Sequence, residues 1–238
     1  MKTMSGHSTK RNLNNNISVD CVVFGFDGTD LKVLLIEKKA LDKENQIHQY
    51  ALPGDLVFDD EGLDEAATRV LKELTHLENI FMKQFHAFGN VDRVRDLKDK
   101  EWLRSFRTEP DARVITVAYY SLVNLLDYQP KPDSFAEKTF WQKIEDLPQL
   151  AFDHNEITRS GFLRLQEEFE NKMLGFELLP KKFTLPQLQR LYEKVLNKKL
   201  DKRNFRKKLM KEGLVEALDE KQQGVLHKPS RLYKVGKS

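Results

Sequence analysis

Between positions 202 and 211 the chain runs Lys-Arg-Asn-Phe-Arg-Lys-Lys-Leu-Met-Lys. Side chains of these types suit one kind of chemistry. A guanidinium donates to two acceptors on the edge of guanine, a carboxamide pairs with adenine in a similar two-pronged way, and ammonium groups hold phosphate oxygens. Lys202, Arg203, Asn204, Arg206 and Lys207 are therefore candidates for contacts with a nucleic-acid duplex. Phe205, Leu209 and Met210 recur at helical spacing and need a core to pack against. Something must hold that face down while the basic surface stays free.

The flanking sequence supplies such elements. Thr184 can cap a helix running to about Leu196, with Leu185, Leu188, Leu191, Tyr192 and Val195 along one side. Asp201 can cap a second helix over 202–212, and Gly213 can end it. Leu214 to Leu218 and Arg231 to Val235 read as short strands, joined by a polar loop containing Gly224, Lys228 and Pro229. Helix, turn, basic helix and β-hairpin is the layout of a winged helix, whose second helix has the length to enter a major groove. Lys228 and Arg231 would then face phosphate or the minor groove from the wing.

Charge is distributed accordingly. Residues 181–238 hold 17 Lys and Arg against six acids, a net +11, while the other 180 residues carry 23 bases and 31 acids, a net −8. An acidic body with a basic module attached is expected to meet a polyanion.

A second constellation lies in the body. Nudix hydrolases carry G-x5-E-x7-R-E-U-x-E-E-x-G-U, with U aliphatic. Glu61 and Arg69 stand eight apart as that motif requires, and Leu71, Glu73 and Leu77 also match. The departures fall where the chemistry is done. Positions 70, 73 and 74 meet on one helical side, where carboxylates would hold Mg²⁺ against a diphosphate. Here Val70 and Leu74 replace two of the three glutamates, leaving Glu73; Asp55 sits in place of the first glycine, beside Gly54, and His76 in place of the second. The resemblance implies a Nudix-like fold with little or no hydrolysis. Glu61 and Arg69 are expected to survive as structural partners, and no catalytic residue, metal or cofactor is expected.

The 238 residues are 39% hydrophobic and 32% charged, enough apolar content for a packed core. No apolar run approaches the roughly 20 residues of a membrane helix. The polar N-terminus lacks the apolar centre of a secretory signal, and Cys21 stands alone, excluding a disulfide framework or Cys-rich zinc site. A cytoplasmic location is the default expectation.

Strands are expected over 19–26, 31–36, 80–91, 114–126 and 138–144, helices over 63–77 and 153–173, and a polar loop over 38–49. Four divisions follow: a flexible arm (1–17), a Nudix-like sensing domain (18–152), a connecting helix and linker (153–180) and a winged helix (181–238). The class is α+β, a Nudix-like α/β/α sandwich followed by a winged helix-turn-helix.

Residues 92–111 form a long charged stretch, of a kind that is functional, partly helical or mobile. Arg93, Arg95 and Arg113, with Arg104 and Arg107, can meet a phosphate or carboxylate, although arginines in such stretches serve more often as surface ion-pair partners. Trp102 and Phe106 can stack on a sugar or base, or pack beneath the loop. His154 reads as a structural residue at a helix start.

Taken together, the two halves resemble the Nudix-related transcriptional regulators, which include repressors of NAD metabolism and sugar-responsive regulators such as those for arabinose. The resemblance covers residues 18–236 and rests on Leu147-Pro148, Ala151-Phe152-Asp153-His154, Gly175-Phe176-Glu177-Leu178-Leu179-Pro180, Phe183-Thr184-Leu185, Leu188-Gln189 and Leu200 to Arg206. It implies a homodimer formed through the Nudix-like domains and a palindromic double-stranded operator. It also implies a sugar or nucleotide-sugar effector in the former catalytic cleft that changes DNA affinity. Two other functions remain open. One is a Mg²⁺-dependent pyrophosphohydrolase acting on ADP-ribose or a related compound, with Glu61, Glu73 and Asp59, Asp60 or Glu65 assembling the metal site. The other is an RNA-binding adaptor.

Overall fold

The computed structural model describes residues 11–41, 46–94, 96–105, 107–125, 127, 138–171, 175–224 and 228–236. The body is a seven-stranded mixed sheet built around β1 (Leu13–Phe26). β1 runs parallel to β6 (Ile115–Asn124) over ten residue pairs, from Ile17 opposite Ile115 to Phe26 opposite Asn124. On its other side, its first half pairs with β4 (Gly54–Phe58) and its last residues with β2 (Leu31–Leu41). β3 (Gln46–Ala51) and β7 (Lys138–Lys143) flank β2, and β5 (Lys83–Phe88) closes the far edge against β6.

The strands alternate, and β1 is buried on both faces. Val19, Cys21 and Val23 face α1 (Leu63–Thr75), which contributes Ala66, Ala67, Val70, Leu71 and Leu74. Val22, Phe24 and Phe26 face α3 (His154–Asn171), which contributes Ile157, Leu165 and Phe169. Helix on each side of a sheet is the expected three-layer sandwich. The α3 layer does not stop at the body. Leu178 of the linker and Phe183, Leu188, Leu191, Tyr192, Leu209 and Tyr233 of the C-terminal module belong to the same cluster.

That module comprises α4 (Leu185–Val195), α5 (Lys202–Lys211) and the hairpin β8 (Val215–Lys221) with β9 (Arg231–Val235). It is a winged helix. A mutual backbone pairing of Phe183 with Tyr233 ties the residue before α4 to the wing.

Two expectations need correction. The polar stretch 38–49 is not simply a loop: β2 continues to Leu41 and pairs with β3 through Glu37–Tyr50 to Leu41–Gln46. A ladder held by backbone hydrogen bonds at a sheet edge needs no apolar alternation. Likewise Leu13 to Asn16, expected in a flexible arm, extends β1, with Leu13 opposite Phe58; residues 1–10 of that arm lie outside the described residues. The long charged stretch is partly helical, one of the expected forms: it contains α2 (Leu97–Arg104), whose Trp102 and Leu103 are buried. Arg95 and Phe106 lie outside the described residues.

Candidate functional site

The helix-turn-helix is fixed by its own side chains. Thr184 accepts from the Gln187 N–H at 3.3 Å, and the Gln187 carboxamide oxygen accepts from the Thr184 N–H at 2.8 Å, a reciprocal cap on α4. In the turn, Gln189 donates to the Leu200 carbonyl and Glu193 accepts from the Leu200 N–H, both at 3.0 Å. Asp201 caps α5 by accepting from the Asn204 N–H at 2.7 Å. Leu209 is fully buried beneath α5, and Phe205 packs its ring 5.3 Å from that of Tyr192. Gly213, at φ 64°, turns the chain out of the helix.

This packing leaves Lys202, Arg203, Asn204, Arg206, Lys207, Lys208 and Lys211 exposed. None of these six bases forms an ion pair with a carboxylate of the described residues. Neighbouring bases of the module do. Lys182 pairs with Glu220 at 2.7 Å, Lys234 with Glu216 at 3.1 Å and Lys198 with Glu170 at 3.3 Å. Positive charge is therefore partly compensated around α5 and left open on it. On the wing, Lys228 is exposed, while Arg231 donates to the Leu218 carbonyl at 2.9 Å and pairs with Asp219 at 3.0 Å. Arg231 is thus anchored to the hairpin through part of its guanidinium.

The Nudix remnant is occupied by the protein's own cations. Arg69 reaches Glu61 at 2.6 Å, Glu73 at 2.9 Å and the Leu56 carbonyl at 2.9 Å. Glu61 also accepts from the Phe58 N–H at 2.8 Å. Arg11, on the residue run leading into β1, pairs with Asp60 at 2.8 Å and Glu61 at 3.4 Å. The Phe58 ring lies between the two guanidiniums, 4.1 Å from that of Arg11 and 4.3 Å from that of Arg69. Burial pushes the Glu61 carboxyl up, but the hydrogen bonds from Arg69 and Phe58 and the charges of both arginines hold it below its ordinary value.

These residues do not fit the magnesium site that the fold implies. Val70 and Leu74 are buried in the α1 core, and the one remaining carboxylate of the trio, Glu73, is held by Arg69. Among the described residues no three His, Cys, Asp or Glu gather to hold a metal ion. Gly54, beside the motif position taken by Asp55, allows a close approach, since a Cβ there would overlap the Asp20 carboxylate.

Beside this remnant, α2 and its flanks close over one end of the sheet. Arg93 is buried, contrary to the expectation of a surface ion-pair partner. It meets Asp153 at 2.8 Å and Asp20 at 3.3 Å. His154 stands at the start of α3, as expected, accepting from the Leu52 N–H at 2.9 Å and facing Asp20 at 3.3 Å. Burial raises the Asp20 carboxyl, but His154 and then Arg93 overcome this and hold it well below the carboxylate range. Trp102 packs 5.9 Å from Phe152, and Asp99 accepts from the Phe152 N–H at 2.9 Å. Asp20, Arg93, Trp102, Phe152 and His154 line a cavity of about 30 Å³, which Arg107 also lines.

Of the arginines singled out in the sequence, Arg93 and Arg107 reach this cavity; Arg113 is exposed and donates to the Gly89 carbonyl at 3.1 Å, and Arg104 is exposed. Asp20 and Arg11 were not singled out, and Asp153 was named only within the family-like stretch beside His154. Asp20 carries a sequence signal, a lone acid within an apolar strand; Arg11, in a polar run, carries none.

Comparison with known proteins matches the two halves separately. The NUDIX domain family covers residues 14–161 and the NrtR DNA-binding winged helix domain covers residues 175–235. The "ADPR responsive transcriptional repressor NtrR" of Acinetobacter baylyi is 29% identical over 222 residues, 92% of this chain and 81% of that protein. Shewanella oneidensis NrtR, crystallised with a 27mer DNA, shares the fold at a TM-score of 0.71 and 24% identity, covering 92% of this chain and 93% of that one. A MutT/nudix family protein from Enterococcus faecalis aligns at a TM-score of 0.69 and 23% identity, over 96% and 89%. Among the described residues no helix is long and apolar enough to cross a membrane. The chain belongs to the Nudix-related transcriptional regulators, a NUDIX domain joined to an NrtR-type DNA-binding winged helix.

Proposed function

We propose that this chain is a homodimeric repressor that grips a palindromic operator with α5 and releases it when ADP-ribose, or a closely related nucleotide sugar, binds the body. The observation that carries the DNA half is the set of six bases on α5 without a carboxylate partner among the described residues. Two such helices related by a two-fold axis enter successive major grooves about one helical turn apart. Lys202, Arg203, Asn204, Arg206 and Lys207 make the contacts, and Lys228 and Arg231 add phosphate or minor-groove contacts from the wing.

ADP-ribose is chosen because the Acinetobacter relative is named for responding to it. The cavity under α2 has suitable chemistry, with Arg93 and Arg107 for a diphosphate and Trp102 and Phe152 for a ring. At about 30 Å³ it has room for a water molecule rather than a nucleotide. Entry therefore requires α2 to lift, and an effector that prefers the open geometry shifts the protein toward it. The chain does not hydrolyse its effector, in keeping with the loss of the magnesium cage.

The test is a gel shift on promoter DNA neighbouring the gene, repeated with ADP-ribose and pentoses and at rising salt. The expected result is a salt-sensitive complex that ADP-ribose dissolves. Binding equally tight to RNA of the same sequence would favour an adaptor, and Mg²⁺-dependent release of AMP from ADP-ribose would favour an enzyme.

A further inference from the structure

The seam between the body and α4 holds a cavity of about 490 Å³, within the size range of small-molecule sites, which favour domain junctions. Its apolar part comes from Leu31 at the start of β2, Ile144 and Leu147 after β7, and Phe162 and Leu163 of α3. Leu163 is half exposed, an apolar side chain the fold leaves uncovered. Two cations line the same space. Lys194 of α4 is engaged, at 3.0 Å from both Asp30 and Glu145. Arg159 of α3 is exposed and makes no hydrogen bond or ion pair with the described residues. Its neighbour Arg164, by contrast, pairs with Glu167 and Glu168.

An open apolar floor beside an unpaired guanidinium is the complement of an amphipathic anion. Glu145 also lines the cavity, and its charge disfavours a dianion more than a monoanion such as a carboxylate. We propose that this seam is a second ligand site, distinct from the α2 cavity, that takes a small amphipathic carboxylate with its head on Arg159 and its tail over Phe162 and Leu163.

The location gives such a ligand leverage. Lys194–Asp30, Lys194–Glu145, a 2.9 Å bond from Arg190 to the Gly28 carbonyl and a 2.7 Å bond from Gln166 to the Val195 carbonyl fasten α4 to the body. A ligand seated in the seam lies against the same α3 and α4 side chains that carry this fastening, so its occupancy bears on how α5 is held relative to the body.

The experiment uses the full chain with octanoate as probe and 1-octanol as its uncharged counterpart, read by calorimetry and thermal shift. Octanoate is expected to bind saturably and raise the melting temperature, with octanol at least tenfold weaker. R159A should weaken octanoate at least tenfold, whereas R164A, on the same helix, should stay within twofold. Saturating octanoate should change operator affinity threefold or more in the parent and not in R159A. Absence of octanoate binding, equal binding of octanol, or an unaffected R159A would overturn the site. So would conversion of a dimer to monomers by L163D, because the seam would then be covered by a second copy. Binding with unchanged operator affinity would overturn the coupling.

Discussion

Arg69 lies with its Nη2 2.6 Å from the Oε1 of Glu61, and both side chains are largely withdrawn from solvent. In an intact Nudix motif the helix carrying this arginine also presents metal ligands. Here the ion pair persists in a structural role, binding the loop before α1 to the helix and to the Leu56 carbonyl. R69A would leave Glu61 charged and nearly buried, with the Phe58 N–H at 2.8 Å and Arg11 at 3.4 Å as its remaining partners. The expected cost is about 3 kcal/mol, as for breaking a buried pair, measured by urea denaturation. Because burial and Arg69 act on Glu61 with the second prevailing, its carboxyl is depressed in the folded state. That contribution is present above the unfolded pKa of about 4.3 and fades as pH falls through the folded value.

Restoring the motif should not restore catalysis. Val70 is 1% exposed and packs in the α1 core. V70E places a carboxylate among apolar side chains and should destabilise the protein by at least about 2 kcal/mol. Melting curves and a Mg²⁺-dependent ADP-ribose assay check both parts. A stable V70E variant with new hydrolysis would show that the cleft retains more of its ancestral geometry than its packing indicates.

The Asp20 cluster sets an acid limb. Its carboxyl is pushed up by burial and pulled further down by His154 and Arg93. A depressed carboxylate stabilises the fold above its unfolded pKa of about 3.9, and the contribution drains away as pH drops below that toward the folded value. Stability of the parent should therefore fall steeply below about pH 4. D20N should be less stable at neutral pH and show a shallower acid limb, read from denaturation at a series of pH values.

On α5, replacing Arg203 and Arg206 together by alanine should weaken operator binding by roughly 1–3 kcal/mol per lost base contact. K207A should weaken all sequences alike and lower the salt slope by about one. Fluorescence anisotropy on operator and scrambled duplexes, across salt concentrations, separates the two. A double variant as tight as the parent would mean that another surface does the gripping.

Gly175 joins α3 to the winged helix at φ 91°, and a Cβ there would run into the Phe169 ring. G175A is strained twice over and should cost roughly 1–3 kcal/mol. Since Phe169 belongs to the core shared by body and module, the variant should also broaden the unfolding transition, a readout for calorimetry.

How much of this was legible in the residues differs from one part to another. The winged helix was almost fully so, because Thr184, Asp201 and Gly213 are local signals whose hydrogen bonds and φ values lie within a few residues. The loss of the metal cage was equally plain, since positions 70, 73 and 74 meet on any helix. The β2–β3 extension was hidden, because an edge ladder is written in backbone pairing and leaves no apolar period.

Residue types and short spacings thus settled the basic helix and the absence of two metal ligands, consequences of contacts made within one or two turns of chain, while the fold class of the body came from the resemblance of its motif, since β1 and β6 pair across almost a hundred residues. Where Arg93 goes was decided only on folding. Its partners Asp20 and Asp153 are 73 and 60 residues away, and nothing in a charged stretch distinguishes an arginine bound for solvent from one drawn beneath a helix. The placement of Arg11 on Phe58, and of Lys194 on Asp30 across the seam, likewise came from the tertiary structure, because charge pairing between distant segments depends on which surfaces the packed core brings together.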